Sequence, residues 1–443
     1  MKGLIFTYLL TYGGAVASLF DPFIGLLIYF CFAIIKPEAM WYWSVPPGNY
    51  SRIIAIALLI GWALQGFGRW QFGGGKGTAI CLLGFFSWSI VSASATPDAT
   101  GVWQFVEAMS KIVLPFVVGM TLVDSVKKLR LVAWVLMLSQ AYVAFELNLS
   151  YYEGFNRLLV GGFAGMDNNT LSITMVAGAG LAFFLGLGEK VVWRRWLAFA
   201  AAALMAHVPM FGMSRGGMLG LIVTGVVAFI LIPKTRGNLS IFALATAVGL
   251  SLAGPPVVER FSSVFVKAEE RDASSSGRLR YWGYCWEMME EEPVFGVGPN
   301  QFRTAATLRH PEGVKPGYSQ VQEAHSLWLQ TGAELGFPGI AFLVGFYGLT
   351  VWRLGRLWRR PAAGLDPWLL DASRMAIAAL VGFAVSASFV SIEGVELPYY
   401  IALVGAGVLN LASPARVQQP APFQPPSRSP AIVAPVVAAR LSP

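Results

Sequence analysis

The sequence predicts an all-α integral membrane protein of about 12 spanning helices with one large polar segment outside the bilayer. Three observations carry this. Of 443 residues, 56% are hydrophobic and only 13% charged, with a mean hydropathy of +0.59; soluble domains hold roughly a quarter charged residues. Apolar runs of near-spanning length recur along the whole chain, and Lys and Arg gather in alternate connections between them, as the positive-inside rule produces.

The elements follow in order. Residues 3–20 and 22–35 are apolar runs divided by Asp21 and Pro22. Each is short for a full crossing, which takes roughly 20 helical residues, so they read as two tilted helices or as a broken hairpin. The first lacks a small-residue cleavage site and leads straight into further apolar runs, so it is expected to stay as a membrane segment. Residues 36–51 (KPEAMWYWSVPPGNYS) form an aromatic, Pro-containing interfacial loop. Further runs lie at about 52–67, 78–95, 103–121, 131–149, 168–188, 196–213, 217–233 and 239–253, then at 326–352, 369–391 and 396–411. The expected organisation is a membrane bundle over 1–253, an external segment over 254–325, closing helices over 326–412 and a Pro/Ala/Gln-rich disordered tail over 413–443.

Arg69 and Lys76, Lys127 to Arg130, Lys190 to Arg195, Lys234 and Arg236, and Arg353 to Arg360 mark every second connection. Placing these in the cytoplasm puts residues 254–325, with ten acidic against eight basic side chains, on the opposite face. In a bacterium that means the inner membrane, with this segment in the periplasm. The net charge of +8 sits in short clusters between apolar runs, which argues against nucleic acid as a partner. Cys31 and Cys81 fall in apolar runs and Cys285 stands alone, so there is no disulfide framework.

Several residues ask for a function. Arg215, in SRGG at the outward end of two apolar runs, needs an anion or a wet cavity, or else snorkels into headgroups. Within SSSGRLRYWGYCWEMMEEEP the spacing predicts a helix, with N-caps at Ser274–Ser276 and a stop at Pro293. Its apolar face is expected at Leu279, Trp282, Trp286 and Met289, against the membrane. Arg278 falls in its first turn, where the helix dipole favours acids, and Arg280 is the alternative cation. His325 stands where the polar segment re-enters the membrane and is suited to accept a proton, or to a structural role. Asp167, Asn168 and Asn169 either line the same external cavity or cap a helix. Lys111, inside an apolar run, faces a cavity or snorkels. Glu290–Glu292 read as a solvated face, with no His or second carboxylate cluster to make a metal site.

SRGGMLGL, then SSGRLRYWGYCWEMMEEEPVFGVGPNQF, then AHSLWLQTGAELGFPGIAFL, in that order around a large external loop, resemble the O-antigen ligase/polymerase superfamily. The DNN at 167–169, upstream of SRGG, resembles particularly the O-glycosylation ligase branch associated with exosortase systems. The motifs cover roughly residues 160–345, and the topology covers the whole chain. The resemblance implies a GT-C-like membrane enzyme that moves a glycan from a polyprenyl-pyrophosphate carrier to an acceptor, with no nucleotide sugar, metal or other cofactor. Carried over motif by motif, it implies Arg215, Arg278 and His325 as catalytic residues; by their positions, Arg280, Asn168, Asn169 and Lys111 are expected against substrate.

That chemistry suits the residue inventory. Cleaving a sugar–phosphate bond builds charge on phosphate oxygens, which bidentate guanidinium groups stabilise in a partly dehydrated site. A base at the acceptor hydroxyl and attack opposite the leaving group would invert the anomeric centre. A glycan polymerase and a protein O-oligosaccharyltransferase share the topology and differ in acceptor. A flippase or transporter would place helix breaks at mid-membrane in repeated halves, whereas the candidates here gather at one face.

Overall fold

The structure is a computed structural model that describes residues 1–96, 101–254, 273–391 and 395–413. Fourteen helices carry the argument: α1 (Lys2–Phe20), α2 (Pro22–Ile35), α3 (Tyr50–Leu64), α4 (Lys76–Ala95), α5 (Val102–Leu122), α6 (Val126–Tyr152), α7 (Asn168–Gly188), α8 (Val192–Phe211), α9 (Arg215–Leu231), α10 (Arg236–Leu252), α11 (Ala273–Glu291), α12 (Leu327–Arg359), α13 (Pro367–Ser386) and α14 (Glu396–Leu411). Among the described residues eight helices are long and apolar enough to cross a membrane, and α3, α9, α10 and α14 are shorter apolar helices. The protein is an all-α integral membrane protein. The N-terminal pair is two packed helices, turned by Asp21, whose carboxylate accepts from the backbone N–H of Phe23 ahead of Pro22. The stretch 255–272 and the tail after Ser413 lie outside the described residues.

Two helices form the centre. Every residue of α7 from Leu171 to Ala182 is buried, as is every residue of α14 from Leu397 to Asn410. Small side chains make this possible in α7, whose AGAG run (Ala177–Gly180) lets neighbours approach to backbone contact. A Cβ built on Gly180 would stand 3.0 Å from the backbone nitrogen of Ala379 on α13.

The long helix α12 is broken, and the break can be derived. Gly336 has φ +66°, and Pro338 follows two residues later. Proline has no N–H to give Glu334, and the Phe337 N–H turns away to the Pro293 carbonyl (2.9 Å), so the carbonyls of Ala333 and Glu334 lose their helical donors. Val297 and Gly298 supply replacements at 2.9 and 3.0 Å. The segment after α11 is thereby stitched backbone to backbone onto the break. Gly296 sits so close there that a Cβ would fall 2.4 Å from the Glu334 carbonyl carbon.

The segment around α11 has a small core of its own, Tyr281, Tyr284, Cys285, Met288, Phe302, Ala306, Val321 and Ala324, closed by Ala333 of α12. A second face of α11 faces this core, beside the one expected against the membrane. Leu279 and Trp286 are exposed, and the stripe that packs runs through Tyr281, Tyr284, Cys285 and Met288, because its partner is the first half of α12. Met289 is buried as well. The helix also begins earlier than expected, at Ala273, so Ser274–Ser276 lie inside its first turn and Arg278 in its second.

A candidate site at one end of the bundle

Three motifs far apart in sequence meet at one end of the bundle. The first two are joined by hydrogen bonds. Asp167 caps α7, accepting from the N–H of Thr170 at 2.7 Å. Asn168 donates to the Gly212 carbonyl at 2.8 Å, and Asn169 accepts from the Ser214 hydroxyl at 3.0 Å. Ser214 in turn caps α9, accepting from the Gly217 N–H at 3.2 Å, so that Arg215 is the first residue of that helix. Of the two roles open to this motif, Asp167 takes the cap while the asparagines tie helix to helix.

The third motif is held just as firmly. His325 has φ +52°, a conformation rare for a residue with a side chain. Its neighbours impose it. The Ala324 N–H goes to Gln330, the Ala324 carbonyl accepts from the Trp282 indole at 3.0 Å, and Ser326 caps α12. Gln330 also donates to Glu323 (2.6 Å) and Glu334 (3.1 Å) and accepts from Ser391. Burial pushes the Glu323 carboxyl above its ordinary range.

The electrostatics join the motifs. Burial pushes the His325 imidazole down to about 4, the Arg278 and Lys315 charges act in the same direction, and Asp167 opposes them. His325 is therefore neutral at physiological pH and lies within the fields of both the SGR arginine and the DNN aspartate. Lys315 stands beside Arg278's neighbour, where a Cβ on Gly277 would be 3.7 Å from its ammonium. Phe389 stands between the helix that carries Arg278 and α9. Phe389 packs 3.0 Å from a Cβ built on Gly216, with its ring 6.4 Å from that of Trp282. α7, α9 and α12 each begin at one of these motifs, capped by Asp167, Ser214 and Ser326, and each brings the positive end of its dipole there.

Two further predicted residues make contacts of their own. Lys111 pairs with Glu107 at 2.9 Å. Arg280 is exposed, and its charge acts on Tyr284 rather than on His325. Sequence reasoning missed Lys315 and above all Glu334. That carboxylate is buried in α12 and accepts from the N–H groups of Asn300 (2.9 Å) and Phe302 (3.2 Å), fixing the loop of GVGPNQF. Its signal was present, since an acid inside an apolar run is costly and needs a reason.

His310 stacks on Tyr284 at 3.8 Å between Glu287 and Glu312, on the far side of the small core. His207 is a packed helix residue whose ring meets Asn148 at 2.6 Å. No curated protein matches the chain. Residues 200–344 match the O-antigen ligase family, a span that begins in α8, takes in Arg215, Arg278, Lys315, His325 and Glu334, and ends past the break in α12. The chain is an all-helical membrane protein, one stretch of which, residues 200–344, is similar to the O-antigen ligase family.

Proposed function

We propose that the protein is a glycan ligase that moves a saccharide from a polyprenyl-pyrophosphate carrier to an acceptor hydroxyl at the His325 end of the bundle. The observation that carries this reading is the meeting of DNN, SRGG and SGR with a neutral histidine at three helix N-termini. Such termini favour a phosphate anion, and guanidinium groups add the planar fork that a pyrophosphate leaving group needs. Arg215 and Arg278 are assigned to the phosphate oxygens. His325 is assigned to the acceptor hydroxyl, since a neutral imidazole can take its proton. In this reading the end that carries Lys76, Lys128 and Arg195 faces the cytoplasm and the His325 end faces the periplasm of a bacterial inner membrane. Attack opposite the pyrophosphate would invert the anomeric centre.

The test is reconstitution. Purified protein in nanodiscs, given lipid-linked glycan, should release carrier pyrophosphate only when acceptor is present. Movement of donor between leaflets with no glycan transfer would instead make it a transporter. Labelling a single cysteine placed at Tyr318 from either side checks the orientation, and access from the cytoplasm would overturn it.

A further inference from the structure

We infer that a groove beside the candidate site is a saccharide-binding subsite for neutral or amino sugars. The groove has a volume of about 480 Å³ and lies between the end of α6, the loop around Tyr42 and Trp43, and the short helix Arg157–Gly161. Small-ligand sites occupy roughly 300–1,000 Å³. Its wall ends at Ala164, three residues before Asp167, which places it within roughly 10 Å of the candidate site along the chain.

Its lining has the two chemistries that a sugar ring presents. Tyr42, Trp43 and Phe155 are 70%, 63% and 54% exposed, offering aromatic faces to the apolar C–H side of a ring. Glu146, Ser150 and Glu153 offer acceptors to its hydroxyls. The platform is fixed beforehand. Arg157 donates to the Ala39 carbonyl at 2.8 Å and lies 5.6 Å over the Tyr42 ring, and Glu146 is oriented by the Tyr142 hydroxyl at 2.7 Å. Ala164 is itself held at φ +53°. Two carboxylates face one arginine whose guanidinium is already spread over Tyr42 and Phe163, so the groove carries a negative excess. That excess disfavours uronic acids and phospholipid headgroups and accepts neutral or amino sugars.

Saccharide binding stands on the groove alone; its role as donor or acceptor subsite rests on the ligase reading. The experiment is saturation-transfer NMR on the full chain in nanodiscs, with two probes from the source cells. One is oligosaccharide released by mild acid from the lipid-linked pool, and the other is oligosaccharide from the finished surface glycoconjugates. We expect binding that weakens at least tenfold in Trp43→Ala and in Glu153→Gln, survives in Trp43→Phe and is unchanged in Lys128→Met, at the opposite end of the bundle. Binding of the first probe alone marks a donor subsite, of the second alone an acceptor subsite, and of both a shared sugar unit. Binding of neither probe, or binding unmoved by both groove variants, overturns the inference, as does contact to bilayer lipid that saccharide fails to displace. Groove binding without any transfer by the wild type would sink the ligase reading and leave the groove; transfer with an indifferent groove would do the reverse.

Discussion

The two ends of the bundle solve the same problem of ending helices in opposite ways. At the Lys128 end, cations satisfy backbone carbonyls. Lys128 donates to the Leu122 carbonyl, Arg195 to that of Glu189 and, from a distant helix, Arg353 to that of Gly74. At the His325 end the Asp167 carboxylate and uncharged side chains cap the helix N-termini and tie them to distant segments, and the backbone is strained. Of the six non-glycine residues with positive φ among the described residues, Lys36, Ala164, Met213, Asn300 and His325 lie at this end and Phe67 alone at the other. Such conformations cost about 1–3 kcal/mol each and persist where surroundings impose them, commonly at functional sites. One end is built for position in the membrane, the other for a fixed arrangement of charge.

The sharpest way to break this contrast is His325→Ala. It should leave donor binding intact and slow transfer at least about a hundredfold; near-normal transfer on the purified variant would remove the base, and loss of binding as well would make the residue structural. Arg278→Lys and Arg215→Lys should each lower transfer by roughly tenfold or more, because a point charge lacks the bidentate fork. Wild-type rates in both would end the clamp assignment.

The pH profile comes next. The folded imidazole is held at about 4, so its neutral form persists well below the ordinary value of about 6.5. Transfer should stay flat from pH 7 to 5 and fall only toward pH 4, whereas an unperturbed base would already be about tenfold down near pH 5.5. Arg278→Gln should move that acid limb upward, since the Arg278 charge disfavours the protonated ring. Glu334→Gln should cost about 1–3 kcal/mol, read as a lowered Tm in detergent, because an amide cannot accept from both Asn300 and Phe302 on its two terminal atoms. The smallest effect is expected at the other end. Lys128→Met should keep full transfer and shift stability by no more than about 1 kcal/mol, as half-exposed ion pairs do.

What could be read from the sequence followed from composition and local period. The apolar runs became helices, and the ordered motifs marked the end where the candidate site lies. What could not be read depends on contacts across the chain. Two stripes of α11 fit a helical period, Leu279 with Trp286 and Tyr281 with Cys285, and only the half-helix of α12 against it decides which is buried. Asp167 reads as a cap or a cavity-lining acid from sequence, and its pull on His325, more than 150 residues on, appears only because the fold brings that ring within its field. The break in α12 was spelled by Gly336 and Pro338, but the segment that repairs it was not.

That repair has a consequence for motion. Pro293, Val297 and Gly298 exchange backbone hydrogen bonds with residues of α12 itself. The end of α11 is therefore welded to a membrane helix and cannot serve as a hinge. The Val297 and Gly298 amides should exchange with solvent deuterium as slowly as a helix interior and melt together with α12. In the ligase reading, any opening that admits a lipid-borne glycan must pivot elsewhere, and the segment after α11 cannot lift away at this seam without unwinding α12.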